Sequence, residues 1–288
     1  MSTAHEAQGL RITVIIPAWG SYVDLAAEAA ASVRAQSTPA RVIVVDNAGD
    51  PPLGPIDGCD IARSPDRLSR GAIRNFGLSL VSTEYVVFLD ADDLLLPGAL
   101  ERLLAGLDRR PDSPALVAGI LEPNGQRHRN PRRLLCPILA RLPRLFAWAN
   151  AVWSLMPTQG CAIMRAAVVR DVGGCADASH GEDWALGASL AFRGPIAFDP
   201  HPVLIYRSRP DSPGAGRTSP RVLLENARRI RRRLRDDPVV GAGRWAIGML
   251  ATAQVLAVAV GQPLVRSTRR SHVIMARWRG SSSSTTTT

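Results

Sequence analysis

The sequence contains no lysine, so arginine provides the basic side chains of a 288-residue chain whose formal net charge is +10. Without lysine the chain cannot form a Schiff base, and it cannot build the lysine-containing phosphate loop of many nucleotide-binding enzymes. Enzymes that depend on either device are therefore excluded. The arginine excess is consistent with a coding bias, and it also suits a chain that meets anionic partners.

Cysteine is scarce as well, and its four residues are spread over positions 59, 136, 161 and 175. None forms a Cys-x-x-Cys pair or has a histidine at zinc-finger spacing, so we expect reduced thiols in the core. The N-terminal extension 1–10 lacks the pattern of a secretory signal, and the cytoplasm is the expected compartment. The low-complexity run 281–288 predicts a disordered tail.

The N-terminal part alternates β-branched runs with a helical pattern. Arg11–Pro17 and Arg41–Val45 predict two buried strands, the first stopped by its proline, with an alanine-rich helix between them. Strand, helix and strand form a βαβ unit, whose crossover makes the strands parallel. The loops Pro17–Gly20 and Asp46–Asp50 are therefore predicted at one edge of the sheet, where α/β folds bind ligands.

Asp46 follows the second of these strands directly. At this place it can accept hydrogen bonds from a ribose hydroxyl or a base N–H, as acidic residues do in nucleotide-binding folds. It can equally close an Asx-turn, helped by Asn47 and Gly49. These residues alone leave both alternatives open.

A buried strand predicted at Val86–Leu89 runs into Asp90, Asp92 and Asp93. Two aspartates separated by one residue at a strand end can bind one divalent cation, and a diphosphate is the natural third partner. The alternative is an acidic turn in which Asp92 or Asp93 caps a helix that begins near residue 97.

The segment before this strand predicts another short strand, Cys59–Arg63, and a helix, Ser69–Leu78. Arg70 and Arg74 lie four residues apart and therefore on one face of the helix. They can meet phosphate oxygens, or they can form an ordinary solvated face.

Further motifs follow downstream, and together they form an ordered series. In chain order the motifs are Val14–Pro17, Val44–Asn47, Arg70–Gly77, Phe88–Asp93, Gln159–Arg165, Val172–Gly174 and Gly181–Leu186. This series resembles family 2 glycosyltransferases, which adopt the GT-A fold, and it extends over roughly two thirds of the chain. The resemblance implies an α/β fold with a mixed, mostly parallel sheet flanked by helices, to which a helical C-terminal appendage is added.

The resemblance also implies a function, which is transfer of a sugar from a nucleotide-sugar donor, UDP-sugars being favoured, to an acceptor hydroxyl with inversion. Mn²⁺ or Mg²⁺ is the implied cofactor, held by Asp92 and Asp90 in a DXD motif. The implied nucleotide-binding residues are Pro17, Ala18, Asp46, Arg70, Arg74, Asp90 and Ala91.

Asp183 is the implied general base, and Glu182 beside it is the alternative. Adjacent side chains at a helix start cannot both face the sugar, and both acids also favour the helix macrodipole. Because an aspartate with an ordinary pKa is a weak base, the site must raise the pKa of Asp183 or use it late in the reaction.

Two segments offer arginines around this predicted site. Pro202–Arg209 stands where the family often has a late histidine or aromatic residue, and Arg207 or Arg209 can contact the diphosphate instead. Pro210–Ser219 is either a lid or a plain linker. The apolar stretch Leu134–Met156 suits an acceptor groove, a lipid-facing patch or a helix packed on the core.

The C-terminal region begins with a helix opened by Ser219 and Pro220, apolar on one side. Its other side carries arginines that repel one another. Anionic lipid headgroups or, less readily, nucleic acid would relieve this repulsion. The uncharged stretch Trp245–Val265 contains Gly, Gln and Pro, which favours a buried or membrane-surface helix over a span. The arginines of the first helix are Arg228, Arg229, Arg231, Arg232, Arg233 and Arg235.

We therefore expect a metal-dependent, inverting glycosyltransferase of the hexosyltransferase type, cytoplasmic or peripheral on the inner face of the membrane. Its acceptor is a lipid carrier, a glycan or a small metabolite. A sugar-nucleotide nucleotidyltransferase is one alternative, and a non-enzymatic RNA- or membrane-binding protein is another. The expected divisions are 1–10 (extension), 11–210 (glycosyltransferase domain, with nucleotide-binding half 11–95 and acceptor half 96–210), 211–280 (helical region) and 281–288 (tail).

Overall fold

The computed structural model describes residues 9–19, 22–128, 136–157, 159–207, 219–241 and 245–259. The expectations for Arg209, the loop 210–218, most of the extension 1–10 and the tail 281–288 fall outside these ranges. The same holds for the end of the uncharged stretch, 260–265.

One mixed sheet forms the centre of the described structure. Its eight strands are arranged in the order β3-β2-β1-β4-β7-β6-β8-β5 within the described residues. They are β1 Ile12–Ala18, β2 Arg41–Asp46, β3 Asp60–Arg63, β4 Tyr85–Phe88, β5 Leu94–Leu95, β6 Ala115–Leu121, β7 Ala162–Arg165 and β8 Ala197–Ile205.

Helices cover this sheet and continue beyond it. They are α1 Val23–Arg34, α2 Arg70–Ser79, α3 Ala99–Asp108, α4 Cys136–Leu139, α5 Pro143–Val152, α6 Ala166–Asp171, α7 Glu182–Ala191, α8 Pro220–Asp236 and α9, which covers 245–259. The sheet flanked by helices and the helical C-terminal region confirm the predicted fold class.

The strand directions divide the sheet into two parts. β3, β2, β1 and β4 are parallel to one another, which confirms the predicted βαβ unit. β7 is antiparallel to β4 and β6, and β5 is antiparallel to β8, whereas β6 and β8 are parallel. The carboxyl ends of β2, β1 and β4 therefore meet at one edge, where the predicted binding loops begin.

The first strand is longer than predicted. We expected Pro17 to stop it, but β1 continues through Pro17 to Ala18, which pairs with Asp46 of β2. The backbone N–H of Asn47 then donates to the carbonyl of Ala18 at 3.0 Å. A proline is tolerated there because it stands at the end of the strand, where little of the ladder depends on its missing N–H.

The stretch 134–156 contains α4 and α5, and α5 packs on the core. Phe146, Ala147 and Asn150 are buried on its inner face. Its outer face and the residues before it expose Leu142 and Leu145 together with Arg141 and Arg144. Of the three alternatives for this stretch, the packed helix is therefore correct for the inner face of α5.

The C-terminal helices share a second core with the helices that precede them. α8 contributes Ala227, Ile230 and Leu234, and α9 contributes Ile247 and Leu250. They bury these side chains against α5 and α7. The whole buried set is Ala151, Ala176, Trp184, Ala185, Ala188, Ala227, Ile230, Leu234, Ile247 and Leu250.

The prediction that all six α8 arginines form a separate solvated side is wrong. Arg229 bonds to Asn226, Arg231 to Gln254, and Arg233 to the carbonyls of Val172 and Gly174. Arg231 and Arg233 thus reach neighbouring elements, whereas Arg229 bonds within α8. Only Arg228, Arg232 and Arg235 of the six are exposed.

No disulfide joins the four cysteines; Cys136, Cys161 and Cys175 are buried in the core as predicted, whereas Cys59 is only half-buried. Among the residues that the structure describes, no helix combines the length and the hydropathy needed to cross a bilayer. The uncharged stretch forms α9 as far as residue 259, with Ile247, Leu250, Gln254 and Val258 buried.

Candidate active site

The three aspartates after β4 form a compact acidic turn. Oxygen atoms of Asp90, Asp92 and Asp93 lie within 4.8 Å of one another. Neither Asp92 nor Asp93 caps the next helix, because α3 begins after Gly98, whose φ is 73°, and has no side-chain cap. The capping alternative is therefore wrong, and the oxygens remain grouped in the arrangement that a hard divalent cation prefers.

Asp93 is the member of this turn whose importance the sequence did not indicate. Its side chain is only 2% exposed, and it accepts a hydrogen bond from the backbone N–H of Arg207 at 3.0 Å. Burial, and then the negative charge of Asp90, raise the pKa of Asp93 to about 8 against the opposing effect of that hydrogen bond. The carboxyl of Asp93 therefore holds its proton more readily than that of an ordinary aspartate.

Arg207 fastens the acidic turn to the rest of the domain. Its Nε donates to the carbonyl of Asp92, and its Nη1 forms an ion pair with Glu28 of α1 at 2.5 Å. Its Nη2 is buried and has no hydrogen-bond partner among the described residues. This donor, beside three carboxylates, is suited to a ligand oxygen.

Arg74 joins the acidic turn to α7. It is 4% exposed, and its guanidinium forms ion pairs with Asp90 at 2.5 Å and with Glu182 at 2.8 Å. Burial alone would lower the pKa of Arg74, but the charges of Asp90 and Glu182 raise it above the ordinary value. A buried cation between two carboxylates thus connects motifs that lie 108 residues apart in sequence.

Helix α2 presents Arg74 because its other motif residues fix it against the chain. Ser69 caps the helix by accepting the N–H of Ala72 at 3.1 Å. A Cβ at Gly71 would lie 1.7 Å from the carbonyl oxygen of Ala176, so only glycine permits this approach. Asn75 then exchanges two 2.8 Å hydrogen bonds with the backbone of Cys175, which ties α2 to the loop before α7.

Helix α7 begins at the predicted acidic pair. Glu182 is 4% exposed and is held by Arg74, whereas Asp183 is half-buried. Burial, and then the charge of Glu182, raise the pKa of Asp183 to about 6, although the N–H of Trp184 opposes the shift. Gly181 precedes the helix with φ 73°, and a Cβ there would lie 2.4 Å from Nδ2 of Asn226 in α8.

The nucleotide end of the predicted site lies on neighbouring strands. Asp46 ends β2, Pro17 and Ala18 end β1, and the acidic turn follows β4, so two strand spacings, about 9 to 10 Å, separate the outer positions. The buried carboxylate of Asp46 is occupied by its own loop. It accepts from Gly49 N at 2.8 Å, Leu53 N at 3.1 Å and Arg63 Nη1 at 2.6 Å.

The Asx-turn alternative for Asp46 is therefore present in the structure, and three of its roughly four acceptor positions are in use. Ala91 lies in the acidic turn and is buried, at 3% exposure. Arg70 is half-buried, and its side chain makes no hydrogen bond or ion pair with any described residue. Arg70 is thus a cation without a protein partner within the described part of the chain.

Tyr206 is a further residue near the acidic turn. Burial, followed by the charges of Asp93, Asp90 and Asp92, raises the pKa of its hydroxyl. Its ring meets that of His128 edge-on, with the centroids 5.9 Å apart. The only sequence signal was its place after the last core strand, where an aromatic residue was expected as one alternative.

The structure thus groups Asp90, Asp92, Arg74, Glu182 and Asp183 at one site. A mixed sheet with a carboxylate turn at the end of β4, an acidic helix start facing it and helices on its faces defines the class, which is the GT-A glycosyltransferase fold.

Comparisons with known proteins agree with this class. The sequence model described as "Glycosyl transferase family 2" matches residues 13–173, and the chain belongs to this family and is a glycosyltransferase. No curated protein is matched by the sequence.

Solved structures show the same fold. S. aureus TarS 1-349 in complex with UDP-GlcNAc is 16% identical, with a TM-score of 0.65, over 86% of this chain and 72% of that one. The mannosyltransferase PcManGT from Pyrobaculum calidifontis, in complex with GDP-Man and Mn²⁺, is 18% identical, with a TM-score of 0.54, over 94% of this chain and 82% of that one.

Proposed function

We propose that this glycosyltransferase moves a sugar from a nucleotide-sugar donor, with UDP-sugars favoured, to an acceptor hydroxyl, and that it inverts the anomeric configuration. The observation that carries the proposal is the buried Arg74, which holds the acidic turn and the Glu182–Asp183 helix start at one site. Donor and base are then positioned by one cation. In this proposal residues 11–95 form the nucleotide-binding half of the domain, and residues 96–210 form its acceptor half.

A divalent cation, Mn²⁺ or Mg²⁺, fits the acidic turn. Its donors are carboxylate oxygens, which suit hard cations, and three such groups lie within 4.8 Å of one another. Asp90 and Asp92 would hold the ion, with Asp93 behind them. When bound, the ion would supply positive charge to the departing diphosphate.

Arginines take the part that lysine often plays at phosphates. Arg70 has no partner in the described residues, and Nη2 of Arg207 is a buried donor without one. We propose that both donate to diphosphate oxygens. The backbone of Pro17 and Ala18 then faces the nucleobase, and Asp46 mainly shapes its own loop while its remaining acceptor position is directed to the base.

Asp183 acts as the general base in this proposal. With a pKa of about 6 it is a stronger base than an ordinary aspartate, yet it is mostly ionised at neutral pH. Glu182 is held by Arg74 and is therefore the positioning residue of the pair. The ionised Asp183 takes the proton of the acceptor hydroxyl, whose oxygen forms the new bond to the anomeric carbon as the bond to the diphosphate breaks. A single displacement of this kind inverts the configuration.

Family membership speaks against both earlier alternatives, the nucleotidyltransferase and the non-enzymatic binding protein. The acceptor, whether a lipid carrier, a glycan or a small metabolite, is to be found by assay.

The experiment is a panel of nucleotide sugars tested with Mn²⁺ or Mg²⁺, in which donor binding and slow donor hydrolysis are measured. Asp92→Asn is expected to abolish metal-dependent donor binding, because one ligand charge is lost. Asp112→Asn, at an exposed aspartate in the loop between α3 and β6, serves as the matched control. Equal donor binding by Asp92→Asn and the wild type would overturn the metal assignment.

A further inference from the structure

We propose that α8 and α9 together form a surface that docks on an anionic lipid bilayer. The inference does not depend on which donor the enzyme uses or on its metal. It rests on an apolar helix face that no described residue covers, on a row of exposed arginines beside it, and on the charge of the sequence that follows.

Helix α9 has two apolar faces but only one core to bury them in. Ile247, Leu250 and Val258 are buried, and Gln254 between them donates to the carbonyl of Ala151 at 2.8 Å. The opposite face exposes four large apolar side chains at helical spacing, with the smaller Thr252 among them. These residues, which we call the α9 apolar face, are Trp245 (78% exposed), Met249 (54%), Val255 (52%) and Leu256 (59%).

Helix α8 lies beside α9 and packs on the same core. Ile230 and Leu234 of α8 share one buried cluster with Ile247 and Leu250 of α9, and Arg231 bonds to Gln254 across the two helices. Because both helices bury one face in this cluster, their opposite faces are both directed outward from it.

The outward side of α8 is basic. Arg228, Arg232 and Arg235 follow one another at intervals of four and three residues, and all are exposed; we call them the α8 arginine stripe. Of the acidic residues on α8, Glu225 forms an ion pair with Arg229 at 3.7 Å, and Asp236 is the last residue of the helix. The sequence after α9, 260–288, adds five arginines and no acidic residue.

An anionic bilayer matches both features at once. The apolar face can enter the boundary between headgroups and acyl chains, where tryptophan is favoured, while the arginine stripe meets lipid phosphates. A protein partner without negative charge would cover the α9 apolar face but would not relieve the repulsion among the arginines of the α8 arginine stripe. Because no described helix can cross a membrane, the expected arrangement is peripheral.

The test is sedimentation of the full-length protein with vesicles of phosphatidylcholine alone and of phosphatidylcholine mixed with phosphatidylglycerol. We expect binding to the mixed vesicles, weakened by salt, and little binding to the neutral ones. Leu256→Ser is expected to weaken binding roughly 5- to 10-fold. Leu80→Ser, a matched change at an exposed leucine of another element, is expected to leave it unchanged.

A paired charge change tests the stripe. Arg228→Gln with Arg232→Gln is expected to weaken vesicle binding roughly 10- to 30-fold. Arg102→Gln with Arg109→Gln, which removes the same charge from exposed positions on and just after α3, should have little effect. Unfolding curves verify that each variant is folded.

Three outcomes would overturn the proposal. They are no binding of the wild type to anionic vesicles, equal losses in the test and control variants, or a protein that is dimeric in solution and becomes monomeric in Leu256→Ser. The last result would assign the α9 apolar face to a second copy of the chain. None of these outcomes bears on donor binding, so the proposed function is tested separately.

Discussion

At the residue scale, Arg74 carries more of the proposed site than any other side chain described. It forms ion pairs with both Asp90 and Glu182, and Glu182 is buried with it whereas Asp90 is partly exposed. A buried charge destabilises the folded state unless it is paired, so loss of Arg74 would leave a buried carboxylate without compensation. The site is therefore sensitive to changes that leave the proposed metal ligands untouched.

Replacement of Arg74 tests this dependence. Arg74→Leu is expected to lower the free energy of unfolding by about 3 to 5 kcal/mol, because Asp90 and Glu182 are left without a cation. Glu182→Gln keeps an acceptor for the guanidinium and is expected to cost less. Urea unfolding of both variants measures the difference, and equal losses would mean that Arg74 does not hold the pair.

The raised pKa of Asp183 predicts a pH dependence. Because the base is active only when ionised, kcat/KM should fall about tenfold per pH unit below an apparent pKa near 6, and it should level off above that value. A pH profile of transfer at saturating metal measures this limb. Asp183→Asn should lose transfer while it keeps donor binding; transfer that persists in this variant with the same acid limb would exclude Asp183 as the base.

At the element scale, α8 supports α7, the helix that begins at Glu182 and Asp183, although α8 lies beyond the residues matched by the family. Arg233 bonds to the carbonyls of Val172 and Gly174, and Asn226 packs on Gly181, which precedes α7. The appendage is thus part of the structure that positions Glu182 and Asp183, and not a free extension.

Arg233→Met tests this support, with Arg232→Met as its matched neighbour. The first change leaves two carbonyls without their donor and is expected to destabilise the protein by about 1.5 to 3 kcal/mol. The second removes an exposed arginine and should change stability by less than about 0.5 kcal/mol. Thermal or urea unfolding gives both values. Equal stability of the two variants would show that Arg233 of α8 does not stabilise the loop that contains Val172 and Gly174.

At the scale of the whole molecule, donor binding and folding are linked, because the proposed donor site exists only in the folded chain. The acidic turn, Arg74 and α7 belong to different parts of the chain, and all must be folded for the donor to bind. A ligand present at about a hundred times its dissociation constant then stabilises the folded state by about 2.7 kcal/mol.

This linkage predicts a thermal shift of several degrees when a correct nucleotide sugar and Mn²⁺ are added together, and a smaller shift with either alone. A chelator should remove the increase, because the acidic turn then binds the diphosphate poorly. Calorimetry of the wild type checks the prediction, and a donor-induced shift that survives the chelator unchanged would argue for metal-independent binding.

The sequence by itself determined the order of strands and helices in the donor half, since β-branched runs and helical spacing are local properties. It also determined the acidic residues at the end of β4 and at the start of α7. These features depend on neighbours along the chain, which a reader of the sequence can see.

Only the tertiary structure decided which charges meet. The ion pairs of Arg74, the burial of Asp93 and the occupation of Asp46 by its own loop join residues that are distant in sequence or differ only in burial. The same is true of α8, where three arginines of a uniform run are used inside the protein and three are left at the surface. Burial and pairing arise from packing in three dimensions, and the spacing of residues in a sequence does not contain that information.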